Sequence, residues 1–347
     1  MYLRKIILAV LLLGLLIGGF FVYYVYSAFF APNTAFQNKE AFVYIPTNAN
    51  MANLEEMLTP LLKDFGSFEA VAQRKQYSER IKGGKYVLLN GMNNNEIINT
   101  LRSANTPVKV SFNNQETLEA LAGRVAQQIE ADSISLLKAF QDTNFLKEQD
   151  ANLETSLGLY IPNSYEFFWN SSAIDFRDRM VKEHQRFWNE DRRLKASSKG
   201  LSPKQVTALA AIVQKESAKI DERPRVAGVY LNRLQKGMPL QADPTVIFAL
   251  KRKLNNYDTI IRRVLYRDLT IDSPYNTYKY AGLPPGPITM PDISSIDAVL
   301  NAEDHDYFYF VANVENFGYH KFAKNLQQHN RNKAQYIRWI NSQNINR

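Results

Sequence analysis

The sequence predicts an α+β protein in three parts: a membrane-spanning helix, a small α+β unit, and a larger, mostly helical unit that carries a β-hairpin. Three observations lead there. A single long apolar run opens the chain. Short strand-like runs alternate with helical patterns over residues 41–112. Helical periodicity then dominates from residue 113 onward. A hydrophobic content of 45% is enough for packed cores and excludes wholesale disorder.

The first part covers residues 1–31. From Ile6 to Phe30 almost every residue is apolar, and a run of about 25 such residues spans a hydrocarbon core as a helix. Tyr23, Tyr24 and Tyr26 sit where an aromatic belt would meet the headgroups, and Arg4 and Lys5 precede the run. The run is too long for a signal peptide, and Phe29 and Phe30 stand where a cleavage site needs small residues. The expectation is an uncleaved single-pass anchor in the plasma (inner) membrane, with a cytoplasmic tail and the remainder extracytoplasmic. With no cysteine, the chain has no disulfide, no thiolate chemistry and no cysteine-ligated metal.

Residues 31–40 read as a polar linker. Strands are expected at 41–46, 86–89 and 108–112, with helices near 54–62, 68–75 and 94–102, which makes a small α+β unit over 41–112. Nothing in it resembles a catalytic site, so binding or spacing is its expected role. In the part spanning 113–347, helices are expected at 115–130, 133–140, 176–187, 203–219, 225–234 and 325–340. Residues 307–311 and 319–322 form the hairpin, turned at Asn316 and Gly318.

The net charge of +8 suits polyanions in general. The cations come in short groups, Lys251-Arg252-Lys253 and Arg262-Arg263, and no nucleic-acid motif accompanies them, so nucleic acid is not an expected partner.

The chemistry concentrates in Ser202–Ala218. Ser202, Pro203 and Gln205 form a helix start with a capping box. Val206, Leu209, Ala210, Val213 and Ser217 mark the buried face, and Glu216 falls at its edge near Ile212, Leu209 and Ile220. Lys215 and Lys219 point to solvent. A carboxyl group against aliphatic side chains is desolvated, which raises its pKa and suits a glycosidic general acid. On the pattern alone the default is a helix-edge glutamate paired with a nearby arginine such as Arg223 or Arg225. Downstream, Gln241 and Asp243 sit at a helix entrance, with Asp243 and Pro244 as N-cap and first position. Asn276 and Tyr278 lie just ahead of the stiff loop Gly282–Ile288. Amides, hydroxyls and aromatic rings on rigid loops suit a sugar ligand. His320 and His329 have no metal-ligand spacing and read as structural or groove-edge residues.

These segments, AAIVQKESA, RVAGVYLNRLQKGMPLQADPTVIFAL, SPYNTYKYAGLPPGPITMP and the C-terminal YFYFVAN with GYHKFAKNLQQHN, closely resemble the YceG-like endolytic transglycosylases (the MltG family). The likeness covers almost the whole chain. It implies an anchor, a LysM-like module at 41–112 and a catalytic domain at 113–347. It also implies internal, non-hydrolytic cleavage of the β-1,4 bond between N-acetylmuramic acid and N-acetylglucosamine in nascent peptidoglycan, leaving 1,6-anhydro ends. Glu216 would act first as acid and then as base, and Ser217 would orient it. Gln241, Asp243, Asn276 and Tyr278 would line the glycan groove. No metal or cofactor is implied; glycan strands and the membrane are, with peptidoglycan synthases as family-level partners. One segment departs from the family: Leu157-Gly158 and Ile161-Pro162-Asn163-Ser164-Tyr165 replace Glu-Gly and Phe-Pro-Asp-Thr-Tyr, which argues against a second catalytic carboxylate there. A hydrolase using Asp243 and a non-catalytic glycan-binding scaffold are the alternatives.

Overall fold

The computed structural model describes residues 2–342; Met1 of the expected tail and residues 343–347 of the expected catalytic domain lie outside the described residues. The chain is helix-rich with small antiparallel sheets and one apolar N-terminal helix, and it divides into two compact units.

The first unit holds residues up to Val110, with 128–131 and 165–172. Its helix α1 (Tyr2–Phe30) is long and apolar enough to cross a membrane. Then follow β1 (Glu40–Ile45), α2 (Met51–Leu58), α3 (Phe65–Arg74), β2 (Gly84–Leu89), α4 (Asn94–Ser103) and β3 (Pro107–Phe112). β1 and β2 pair antiparallel with Val43 opposite Tyr86, so alternate residues face the helices. Val43, Ile45, Tyr86 and Leu88 meet Leu54, Phe68, Ile97 and Leu101 in one apolar core. Both α2 and α4 open on asparagine capping boxes, at Asn50 and Asn93, which satisfy amides that the first helical turn leaves without partners.

The expected linker at 31–40 is pinned down instead. Pro32 and Thr34 form bridges to Asn93 and Leu62. Asn33 is buried, and its Nδ2 donates to Asn94 Oδ1 at 2.7 Å and to the Asp64 carbonyl at 2.8 Å. Asn94, 1% exposed, donates onward to Ser67 Oγ and to the carbonyl of Ala28, near the end of α1. Ala28 and Phe29 pack on the unit's core, so the apolar helix is stapled to the folded unit. A polar stretch read as linker because polarity alone does not distinguish solvated residues from residues satisfied inside a fold.

The second unit contains α5 (Leu118–Ala126), α6 (Ser133–Phe140), α7 (Thr143–Glu148), α8 (Ala173–Phe187), α9 (Glu190–Ser198), α10 (Pro203–Glu216), α11 (Arg223–Gln235), α12 (Asp243–Leu254), α13 (Ile293–Leu300) and α14 (Leu326–Ser342). The hairpin is β5 (Tyr309–Ala312) with β6 (His320–Ala323). A further strand, β4 (Asn163–Phe168), most of which belongs to the first unit, pairs with β3. Helix α5 is shorter than the expected 115–130, since Thr117 caps it and it ends at Ala126. Helices α7, α9 and α13 and strand β4 did not stand out in the sequence, because each is short.

α10 is the centre of this unit. Val206, Leu209, Ala210, Ile212 and Val213 lie in a core shared with Val226, Ala227 and Tyr230 of α11, Phe248 of α12, and Ile296 and Val299 of α13. The predicted capping box forms: Ser202 Oγ accepts from the Gln205 amide, and Gln205 Oε1 accepts from the Ser202 amide. Gly286 shows how tightly the proline-rich loop is held, since a Cβ there would lie 1.9 Å from the carbonyl of Glu154.

Candidate active site

α10 ends at Glu216, a turn earlier than the expected Lys219. Ser217 is extended, and its Oγ both accepts from the Lys219 amide and donates to Glu222 Oε2 at 3.0 Å, an alternative to continuing the helix. This termination presents the Glu216 side chain at a helix end beside a cavity of about 300 Å³, whose walls include Tyr230, Arg233, Gln241, Asp243, Tyr278 and His329.

Glu216 keeps some surface toward this cavity, but its carboxyl group is closely surrounded by protein. Tyr230 Oη donates to Glu216 Oε1 at 2.8 Å. Burial is the main reason its pKa is pushed up to about 7; the Tyr230 hydrogen bond opposes this, the Asp243 charge adds to it, and His320 opposes it weakly. Neither arginine considered from the sequence pairs with it. Arg223 binds Asp292 and the Ser217 carbonyl, and Arg225 binds Glu303. Ile220, expected beside it, is exposed. Lys215 is exposed as expected, and Glu116 binds both it and Lys251.

Asp243 is the first residue of α12, not its cap; Ala242 holds the cap position, and no side chain caps the helix. The Asp243 carboxylate instead accepts from Tyr278 Oη at 2.6 Å. Burial, followed by this bond, raises the Tyr278 pKa, as burial and Glu216 do for Tyr230, so both phenols remain donors. Gln241 has φ of 53°, a left-handed conformation uncommon outside glycine. It is held there because its amide donates to the Thr277 carbonyl, while the Ala242 amide donates to Thr277 Oγ1. Gln241 Oε1 accepts from Arg233 at 3.2 Å.

The structure therefore gathers Glu216, Gln241, Asp243 and Tyr278 around one cavity, and leaves Ser217 and Asn276 behind its wall. Asn276 is 0% exposed. Its Nδ2 donates to the carbonyls of Leu269 and Ile271, and its Oδ1 accepts from the Tyr278 amide. It shapes the loop that presents Tyr278 and does not line the groove, as a small amide is well suited to satisfy several backbone groups at once. Ser217 is likewise buried, on Glu222, whose pKa burial pushes up but His320 and Ser217 hold below the usual range.

Several residues of the cavity were not singled out in the sequence: Tyr230, Arg233, Phe308, Tyr309 and Phe310. A sign was present for two of them. On α11 the buried face runs Val226, Ala227, Tyr230 and Arg233, and an arginine continuing an apolar stripe is out of place unless it serves a site or a buried network. Arg233 is 6% exposed and donates to the carbonyls of Phe308, Pro239 and Leu240, fastening the hairpin to the Gln241 loop. His329, read as structural or groove-edge, lines the cavity and stacks on Tyr309 with ring centroids 5.2 Å apart. Among the described residues no group of His, Cys, Asp and Glu could hold a metal ion.

A carboxyl group half-protonated near neutral pH, at the mouth of a cavity lined by hydroxyl, amide and aromatic groups, can give and take a proton on a polar ligand; this is the equipment of an acid–base enzyme. The chain belongs to the YceG-like family, whose model matches residues 43–335. It is 28% identical to the endolytic murein transglycosylase of Bacillus subtilis, over 93% of this chain and 91% of that one. It is 29% identical to the endolytic murein transglycosylase of Streptococcus pneumoniae, over 92% of this chain but 62% of that longer one. The crystal structure of a YceG-like protein from Listeria monocytogenes superposes with a TM-score of 0.56 at 30% identity, covering 85% of this chain and 99% of that one.

Proposed function

We propose that this protein is an endolytic murein transglycosylase that cuts the β-1,4 bond between N-acetylmuramic acid and N-acetylglucosamine in nascent peptidoglycan. Family membership and the names of its relatives support the activity. The observation that carries the mechanism is the Glu216 carboxyl group, held by Tyr230 and raised to about pH 7 by burial. In this reading protonated Glu216 donates to the leaving glycosidic oxygen. The resulting carboxylate then takes the proton of the muramyl C6 hydroxyl, which closes a 1,6-anhydro ring and returns Glu216 to its starting state. One group performs both steps, with no metal or cofactor. Gln241, Asp243 and Tyr278 contact the glycan, while Ser217 and Asn276 act as positioning residues.

Residues 41–112 serve as a LysM-like module that holds glycan; the order β1-α2-α3-β2 with antiparallel strands supports this. Residues 113–347 are the catalytic domain, and 1–31 anchor it in the plasma membrane with the N-terminus cytoplasmic and the other parts outside. Newly made strands near the membrane are then the substrate, and peptidoglycan synthases are the natural partners.

A second reading is favoured by one observation: Asp243 shares the cavity with Glu216. Two carboxylates can hydrolyse a glycoside when their separation admits a water molecule. Mass spectrometry of cut glycan strands separates the two. Anhydro-muramyl ends, lost in Glu216→Gln, support the transglycosylase; reducing ends carrying added water would establish hydrolysis instead.

A further inference from the structure

We propose that residues 254–267 form a second membrane contact, in which the segment lies on the headgroup layer of an anionic lipid surface. Between the end of α12 at Leu254 and the short turn at Asp268–Thr270 the chain has no regular element. Structureless stretches longer than about 12 residues are uncommon in compact domains and are usually either functional or linker segments; the composition of this one argues for function. Ile260 is 81% exposed and Tyr266 86%, with Leu254 and Leu265 exposed beside them in sequence. Elsewhere in the second unit exposed apolar residues such as Ile134, Leu194 and Ile220 are spread singly along the chain, which is ordinary for a soluble surface.

The charges of the same segment are one-sided. Arg262, Arg263 and Arg267 stand against a single carboxylate, Asp258. Arg267 stands 3.9 Å from Asp268, and among the described residues Arg262 and Arg263 form no ion pair. Cations interleaved with aliphatic and tyrosine side chains match a headgroup layer: guanidinium groups meet phosphates, the phenol sits at the interface, and isoleucine and leucine enter the acyl boundary. A soluble polyanion would satisfy the arginines but leave Ile260 and Leu265 in water, so a lipid surface is the better fit. Just beyond the segment the chain is tied to the loop that presents Tyr278 to the cavity, because Asn276 holds the carbonyls of Leu269 and Ile271 and the amide of Tyr278.

The proposal rests on α1 spanning the bilayer, and the test keeps the two apart. The chain has no cysteine, so Ile260→Cys or Leu265→Cys places a single environment-sensitive fluorophore in the segment, with Leu194→Cys as the control. The full-length protein is reconstituted in nanodiscs of phosphatidylglycerol with phosphatidylcholine, or of phosphatidylcholine alone. The expected result is a blue shift and quenching by spin-labelled lipid at 260 and 265 in the anionic discs only. Both effects should be lost on adding salt or on replacing Arg262, Arg263 and Arg267 with glutamine, and be absent at 194. A label at 260 as wet as that at 194, or a shift indifferent to lipid charge, overturns the proposal. So does a shift that needs added glycan strands or grows with protein concentration, which would give the surface to glycan or to a second copy. Failure of the protein to remain in either disc would overturn the anchor as well.

Discussion

Both units bury polar side chains, yet the two clusters are built for opposite ends. In the first unit Asn33 and Asn94 donate and accept among themselves, Ser67 and backbone groups of Asp64 and Ala28. A closed network of this kind fixes a conformation, and here it joins an apolar helix to a small fold. In the second unit the one hydrogen-bond partner of Glu216 among the described residues is Tyr230, and Glu216 faces a cavity. The open cluster carries a pKa displaced to about 7, the mark of a group whose charged form the fold does not fully support. A satisfied polar cluster gives stability, whereas an unsatisfied one at a cavity gives reactivity at some cost in stability.

Glu216→Gln should have the largest effect on activity. Loss of a positioned acid–base group lowers turnover by about 10²–10⁴-fold, measured as anhydro-ended products released from glycan strands. The same change should stabilise the fold at high pH. Its folded value of about 7 lies above the ordinary 4.5, so the native state holds the proton more tightly than the unfolded chain. The stability that this one group contributes is then fully present below about pH 4.5 and is lost as pH rises to about 7, by roughly 3 kcal/mol over that window. Denaturant titrations should show Glu216→Gln equal to wild type at about pH 4 and more stable at about pH 8. Equal stability at both would break the comparison.

Asn94→Leu should do the reverse. Removing its amide takes the Asn94 donor from the Ala28 carbonyl and leaves the Asn33 amide with the Asp64 carbonyl but without its Asn94 acceptor, at a cost of about 1–3 kcal/mol. Cutting of soluble strand fragments should be retained, because no part of the cavity belongs to that unit. A variant with wild-type stability but lost turnover would refute the assignment of a purely structural lock.

The smallest effects should be a pair of opposite pH shifts. Tyr230→Phe removes a hydrogen bond that favours the Glu216 carboxylate, so the alkaline limb of the pH–rate profile should move up. Asp243→Asn removes a negative charge that disfavours it, so the same limb should move down. Movement of both in one direction would show that a different group controls that limb.

Much of this site could be read along the chain. The Ser202 capping box, the buried face of α10 and the position of Glu216 at its edge are local consequences of side-chain type and helical period, and the structure reproduces each. The role of Asn276 could not be read that way, since an asparagine on a loop looks the same whether it faces a ligand or binds carbonyls from residues 269 and 271. Asp243 before Pro244 has the local features of a helix cap, yet it takes the first helical position and its carboxylate accepts from Tyr278, a residue far along the chain. The Asn33 staple was invisible for the same reason, because its partners at 64 and 94 lie far along the chain.

The sequence by itself determined the order of parts, the apolar helix, the helical elements that begin at strong caps, and the family. These depend on period, composition and residues near one another in the chain. Tertiary structure decided which side chains share the cavity, that Tyr230 is the partner of Glu216, that α10 stops at Glu216, and that the stretch after α1 is locked rather than loose. Each of those depends on groups brought together across the fold, whose burial and pairing set their charge and their freedom.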